Sequence, residues 1–140
     1  MFVGKFDHNL DSKFRLTVPA KMRVSLEDGM VITRSLTEPC LEIYPMEAWK
    51  EKAAEMESLP RINRDARKIR RIFFANAEKL ELDKQGRIVI SQRLRELSGI
   101  NAEATLIGTG SFLEIWEPNN LDEFDDIDSL TDDVLNAFDI

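Results

Sequence analysis

Cysteine, histidine and tyrosine each occur once in these 140 residues, and tryptophan twice. One cysteine excludes a disulfide within the chain and points to a reducing compartment. With one His and one Cys there are too few ligands for a His/Cys zinc site in a single chain. No apolar run approaches the ~18 residues that span a bilayer. The opening Met1-Phe2-Val3-Gly4-Lys5 lacks the apolar core of a signal peptide. There is no Gly-rich phosphate loop, no Ser/His/Asp arrangement and no recurring pair of carboxylates. These absences imply a cytoplasmic non-enzyme without metal, cofactor, small-molecule substrate or membrane partner.

Net positive charge is also lacking: the formal charge is −7. The acids are unevenly placed, however. From Leu121 onward Asp122, Glu123, Asp125, Asp126, Asp128, Asp132, Asp133 and Asp139 occur without a single Lys or Arg. Removing those eight leaves 18 acids against 19 bases. In the first 23 residues Lys5, Lys13, Arg15, Lys21 and Arg23 outnumber Asp7 and Asp11. A near-neutral body with a basic face and an acidic tail remains compatible with a polyanionic partner.

What the chain does have is a repeat. Leu10-Asp11-Ser12-Lys13-Phe14-Arg15-Leu16-Thr17-Val18-Pro19 returns as Leu82-Asp83-Lys84-Gln85-Gly86-Arg87-Ile88-Val89-Ile90-Ser91, at an offset of 72. The same offset aligns Arg23 with Arg95, and Cys40-Leu41-Glu42-Ile43-Tyr44 with Phe112-Leu113-Glu114-Ile115-Trp116. Two copies of one unit are present, each too small to bury a core alone.

Each copy reads as strand, turn, strand, short helix and two further strands. In the first, Met1 to Asp7 is strand-like. Arg15 to Val18 alternates until Pro19, Ala20 to Leu26 suits a short helix, and Met30–Thr33 and Cys40–Tyr44 are strands. In the second, Ser91 to Leu97 is the helix, and Thr105–Ile107 and Phe112–Trp116 are the strands. Between the copies, Trp49, Ala53 and Met56 recur at helical spacing, with Pro45 in the first turn and Pro60 as the stop. Asn63 is placed to cap a second helix with Ile62, Ala66, Ile69 and Phe73 on one face. The run Arg64, Arg67, Lys68, Arg70 and Arg71 is either a solvated face or a polyanion-attracting one. The acidic tail reads as a short helix from Ser129, favoured by Asp132 and Asp133 near its start. The expected layout is a first repeat over 1–50, connecting helices over 51–76, a second repeat over 77–121 and a tail over 122–140.

The repeated Asp-x-x-x-Arg turn carries the functional question. An Asp in a turn accepts backbone N–H bonds and holds the loop. An Arg four residues on presents a planar fork suited to a phosphate or a guanine edge. The opposing reading is that Asp11 and Arg15, and Asp83 and Arg87, simply pair with each other. Lys13 and Lys84 add charge at the same turns, while Arg23 and Arg95 either extend the stripe or lie on a plain surface. Cys40, His8, Trp49 and Trp116 read as packing residues.

These motifs together resemble the MraZ family, tandem relatives of the AbrB and MazE swapped-hairpin DNA-binding domains. The resemblance covers roughly Met1 to Leu121. It rests on the two turns, the Val-Pro after the first, the Leu-Glu-Ile-aromatic closing each copy, and the basic helix between. It implies an α+β, mainly β fold: a double-split, swapped-hairpin β-barrel made of two tandem repeats with helices between them. It further implies a ring-shaped homo-oligomer that binds direct repeats in double-stranded DNA upstream of the division and cell-wall gene cluster, as a repressor in the nucleoid. On that basis Lys13, Arg15, Lys21, Arg23, Lys84 and Arg87 are the expected DNA contacts, with Asp11, Asp83 and Gly86 shaping the turns. The family commonly has Gly before the motif arginine; Gly86 keeps it and Phe14 does not. Either the first turn differs in geometry or Phe14 is placed for contact. A second reading is an antitoxin-like module whose acidic tail occupies a basic toxin, although MazE-like antitoxins carry one copy. The tail itself is either a DNA mimic or a solubility device.

Overall fold

The computed structural model describes residues 1–121 and 126–140; Asp122, Glu123 and Asp125 of the acidic tail lie outside them. The fold is α+β and mostly antiparallel strand. In chain order the first copy supplies β1 (Lys5–Asn9), β2 (Arg15–Thr17), α1 (Ala20–Arg23) continued by a 3₁₀ turn (Val24–Leu26), β3 (Met30–Arg34) and β4 (Cys40–Pro45). The helices α2 (Met46–Glu57) and α3 (Arg64–Ala75) follow. The second copy supplies β5 (Glu78–Leu80), β6 (Arg87–Val89), α4 (Gln92–Ser98), β7 (Glu103–Gly108) and β8 (Leu113–Trp116). A 3₁₀ turn (Ile127–Ser129) and α5 (Asp132–Asn136) lie in the tail.

The pairing interleaves the copies. One sheet runs β1-β7-β8-β4-β3-β5, and β2 pairs with β6 in a second, two-stranded sheet. Each copy's first strand therefore completes the other copy's hairpin: β1 lies on β7 and β5 on β3. The expected barrel is built as these two sheets around one core, without continuous hydrogen bonding between them. Two registers locate an internal two-fold axis. Leu16 faces Ile88 in one sheet and Glu42 faces Glu114 in the other, each residue opposite its own twin 72 positions away. Only an axis passing through both pairs does this.

Both copies fill the core. Leu16, Val18, Leu26, Ile32, Leu41 and Ile43 pack with Ile88, Ile90, Leu94, Leu106, Leu113 and Ile115, all buried. Strand alternation sends Leu41, Ile43, Leu113 and Ile115 inward, while Glu42 and Glu114 fall on the outer face; Leu26 comes from the 3₁₀ turn and Leu94 from α4. On that face Trp49 of α2 stacks on Phe73 of α3 at 5.4 Å and meets Tyr44 at 5.9 Å, and Tyr44 stacks on Phe112 at 5.1 Å. The aromatics are packing groups, as their spacing predicts.

Local differences have local causes. The first strand begins at Lys5, not Met1, because Gly4 at φ 96° breaks the extended run, and Phe2 makes an isolated bridge to Gly110. Asn63 caps α3, its side chain accepting from the Ala66 N–H at 2.9 Å. Ile62 thus precedes the helix and is 94% exposed, so it does not share the buried face. Ala66 and Phe73 form that face, and Ile69 is exposed. Pro45 ends β4 and caps α2 rather than entering its first turn. In the tail Thr131 caps α5 and Ser129 belongs to the preceding turn; Asp132 and Asp133 occupy the first helical turn as expected.

Candidate nucleic-acid interface

The two Asp-x-x-x-Arg turns are built alike. In the first, Asp11 Oδ1 accepts from the Lys13 and Arg15 N–H groups, each at 2.9 Å, while Oδ2 accepts from Arg15 Nε at 2.6 Å. In the second, Asp83 Oδ1 accepts from the Gln85 N–H at 2.9 Å and the Arg87 N–H at 2.8 Å, and Oδ2 from Arg87 Nε at 2.8 Å. The backbone closes each loop identically, Phe14 N–H donating to Asp11 O and Gly86 N–H to Asp83 O, both at 3.0 Å. These donors favour the charged carboxylate. The Arg15 backbone N–H is the largest influence holding Asp11 down to about 2, with the Arg15 side chain and the Lys13 N–H adding to it. Asp83 is lowered in the same way, first by the Arg87 N–H.

Asp–Arg pairing therefore forms in both copies, but it uses only part of each fork. Among the described residues Arg15 makes its side-chain hydrogen bond through Nε alone, leaving Nη1 and Nη2 for a ligand. Arg87 is more engaged: Nη2 reaches Gln85 Oε1 at 3.3 Å and Nη1 lies 3.9 Å from Asp11 Oδ2. That last distance matters, because it joins the copies. The β2–β6 pairing places Arg15 opposite Val89 and Thr17 opposite Arg87, so Asp11, Arg15, Asp83 and Arg87 form one cluster around the internal axis.

The lysines divide from the arginines. Lys13 and Lys84 at the turn tips and Lys21 on α1 are exposed, with no ion pair among the described residues. Arg23, by contrast, is half-buried: its Nε donates to Val18 O at 2.9 Å and it packs against Gly86. Gly86 is buried at φ 74°. Phe14 resolves the question raised by its bulk, since it takes φ 58° in a turn of the same geometry. Its ring lies under Arg95, whose Cζ stands 3.5 Å from the ring centroid. Phe14 is thus both strained and in contact. Only the 72-residue alignment with Arg23 singles out Arg95 in the sequence, and nothing local reveals its contact.

The basic run on α3 is partly structural. Arg67 Nη1 donates to Arg61 O at 3.0 Å and Ile62 O at 2.7 Å, and Arg70 Nη1 to Leu59 O at 3.1 Å, bracing the α2–α3 connection. Arg64, Lys68 and Arg71 are exposed. Cys40 is fully buried, its thiol pushed up to about 12 by burial and by the Glu114, Glu42 and Glu38 carboxylates.

The sequence pattern of the family described as "MraZ protein, putative antitoxin-like" matches residues 1–72 and again 73–134. The chain belongs to the MraZ family. A protein of Herpetosiphon aurantiacus named transcriptional regulator MraZ is 42% identical over 144 residues, the match covering all of both chains. Similarity over full length carries the coarse function, transcriptional regulation, from that MraZ protein to this one. Among the described residues no helix is long and apolar enough to cross a membrane.

Proposed function

We propose that this chain is a sequence-specific DNA-binding repressor, working in the cytoplasm at the nucleoid as a ring-shaped homo-oligomer on direct repeats upstream of the division and cell-wall gene cluster. The observation that supports it best is the cluster formed when β2 and β6 bring the two turns together. Among the described residues Arg15 has two free Nη groups there, and Lys13 and Lys84 have no ion pair. Lysines suit phosphates, which position a protein on the duplex, whereas a preorganised guanidinium suits a base edge. Arg15 is accordingly the base-reading residue; Lys13, Lys84 and Lys21 hold the backbone, with Arg87 assisting.

Self-association is supported by exposed apolar surface. Leu36, Ile69 and Ile72, exposed among the described residues, line a cavity of about 580 Å³ together with Arg34 and Leu97. A ring presents several turn clusters at once to repeated sites, raising avidity through effective concentration without new contacts.

Gel-shift titration of Arg15→Ala and Arg87→Ala on DNA containing direct repeats tests the reading, with folding checked by circular dichroism. Arg15→Ala is expected to lose roughly 1–3 kcal/mol per turn cluster, the worth of a good bidentate base contact. Arg87→Ala is expected to lose less, because its fork is already shared between Asp83, Gln85 and Asp11. Wild-type-like binding by both variants refutes the assignment. Light scattering across micromolar concentrations tests the ring, and a strict monomer removes the avidity mechanism. The antitoxin-like alternative draws on the tail, where Ile127, Leu130, Val134 and Phe138 are exposed among acids. The chain's two copies count against it.

A further inference from the structure

Arg23 and Arg95 each lie five residues beyond a buried strand-end residue, Val18 or Ile90, and each reaches back to its carbonyl. Arg23 Nε donates to Val18 O at 2.9 Å, and Arg95 Nη1 to Ile90 O at 2.5 Å. Those same two residues are tied to the opposite copy's turn. The Val18 N–H donates to Gly86 O at 2.9 Å, and the Ile90 N–H to Phe14 O at 3.0 Å. Each guanidinium is therefore anchored where it covers the residue immediately before the other copy's motif arginine.

The two coverings use different chemistry. Over the second turn Arg23 fills the space that a side chain at Gly86 would take: a Cβ there would stand 2.3 Å from Arg23 Nε and 2.4 Å from Cζ. Over the first turn the place is occupied by the Phe14 ring, and Arg95 stacks on its face at 3.5 Å. Phe14 holds a left-handed φ of 58°, a conformation that persists in a bulky residue only when its surroundings over-determine it. The stack and the Ile90–Phe14 hydrogen bond supply that constraint. The arrangement occurs twice, at positions 72 apart, so it belongs to the fold and not to one rotamer.

We propose that Arg23 and Arg95 are positioning residues for the opposite copy's turn, Arg95 clamping Phe14 and hence Arg15, and Arg23 clamping Gly86 and hence Arg87. Their guanidinium groups are directed at a backbone carbonyl and at a turn, not at phosphates. The Phe14–Arg95 stack also makes the Arg15 turn chemically distinct from the Arg87 turn, which gives a two-fold body one preferred reading edge. This inference rests on the DNA-binding reading for its purpose, and on geometry alone for the clamp.

Two measurements on the full chain separate these dependencies. The first is amide hydrogen exchange at Lys13 and Arg15, whose N–H groups bond Asp11. Arg95→Ala and Phe14→Leu, which removes the aromatic face, are each expected to speed exchange about two- to fivefold, the worth of an exposed cation–π contact. The Arg87 amide across the axis should be unaffected. Unchanged exchange at Lys13 and Arg15 in both variants overturns the clamp, whether or not the protein binds DNA.

The second is the salt dependence of affinity for direct-repeat DNA. A lost phosphate contact lowers the slope of log K against log salt by about 1 per contact. Arg95→Ala is expected to weaken binding at every salt concentration without changing the slope, and Arg95→Lys, which keeps the charge but not the planar stack, is expected not to rescue it. A slope reduced by about one unit per turn cluster, or full rescue by Arg95→Lys, makes Arg95 a phosphate contact and overturns the positioning role. If the wild-type chain binds no DNA, the proposed function fails, while the exchange result still decides the clamp.

Discussion

Replacing Gly86 with alanine tests how tightly the two copies are locked together, because the added methyl group meets two independent penalties. The first is conformational. Gly86 sits at φ 74°, where an L-residue costs roughly 1–2 kcal/mol. The lower unfolded-state entropy of alanine does not offset this, since that benefit requires a native conformation alanine adopts without strain. The second is steric and crosses between copies. The new Cβ would lie 2.3 Å from Arg23 Nε, 2.4 Å from Cζ and 2.8 Å from Cδ, so the Arg23 side chain must move and give up its hydrogen bond to Val18 O. A hydrogen bond of this kind contributes about 0.5–1.5 kcal/mol. The Val18 N–H to Gly86 O bond uses backbone only and survives. The expected loss is about 1.5–3.5 kcal/mol, or a Tm lower by several degrees for a domain of this size. Urea denaturation of Gly86→Ala, Arg23→Ala and the double variant measures it. Removing Arg23 beforehand deletes the clash, so the double variant is expected to be more stable than the two single losses added together. Strict additivity, or a Gly86→Ala loss below about 0.5 kcal/mol, refutes the interlock.

Acid should loosen the turns late. Asp11 and Asp83 are both held below their ordinary value, so their stabilisation is fully present above about pH 3.8 and is lost as pH falls through the lowered value, about 2 for Asp11. Carboxyl titration by NMR should show both titrating below the ordinary aspartate value, and a normal Asp11 midpoint counts against the hydrogen-bonded turn. Glu42→Gln should stabilise the protein by about 0.2–1 kcal/mol, because Glu42 faces Glu114 directly across the strands and like charges there are unfavourable. Burial raises the Glu42 carboxyl, so neutralising it removes a penalty, and the amide oxygen can still accept from the Tyr44 hydroxyl; a lower thermal midpoint contradicts this. A chain ending at Asn120 distinguishes the two uses of the tail. Tighter DNA binding at low salt, converging on wild type as salt screens the charge, identifies a DNA mimic. Unchanged affinity with precipitation identifies a solubility device.

The sequence alone determined the duplication, because an offset of 72 aligns the two turns with the strands that follow them, Arg23 with Arg95, and the two closing strands, in the same order. The period of a strand puts Leu41 with Ile43, and Leu113 with Ile115, on one face, but which face is the core was decided by the tertiary structure, since Cys40 and Tyr44 on the other face of β4 are buried too. Asn63 as a cap and Asp11 and Asp83 as turn residues were legible because each bonds to a backbone group two to four positions away. What joins residues far apart was decided only by the tertiary structure. Neither copy's pattern states that β1 completes the other hairpin through β7, or that β5 does so through β3. Ile62 kept the helical spacing yet fell outside the helix, because its neighbour Asn63 took the capping position. Arg23 and Arg95 looked like two more surface cations, and their identity as charged residues says nothing of where they point. That direction comes from the two-fold interleaving, which carries a glycine under one guanidinium and an aromatic ring under the other.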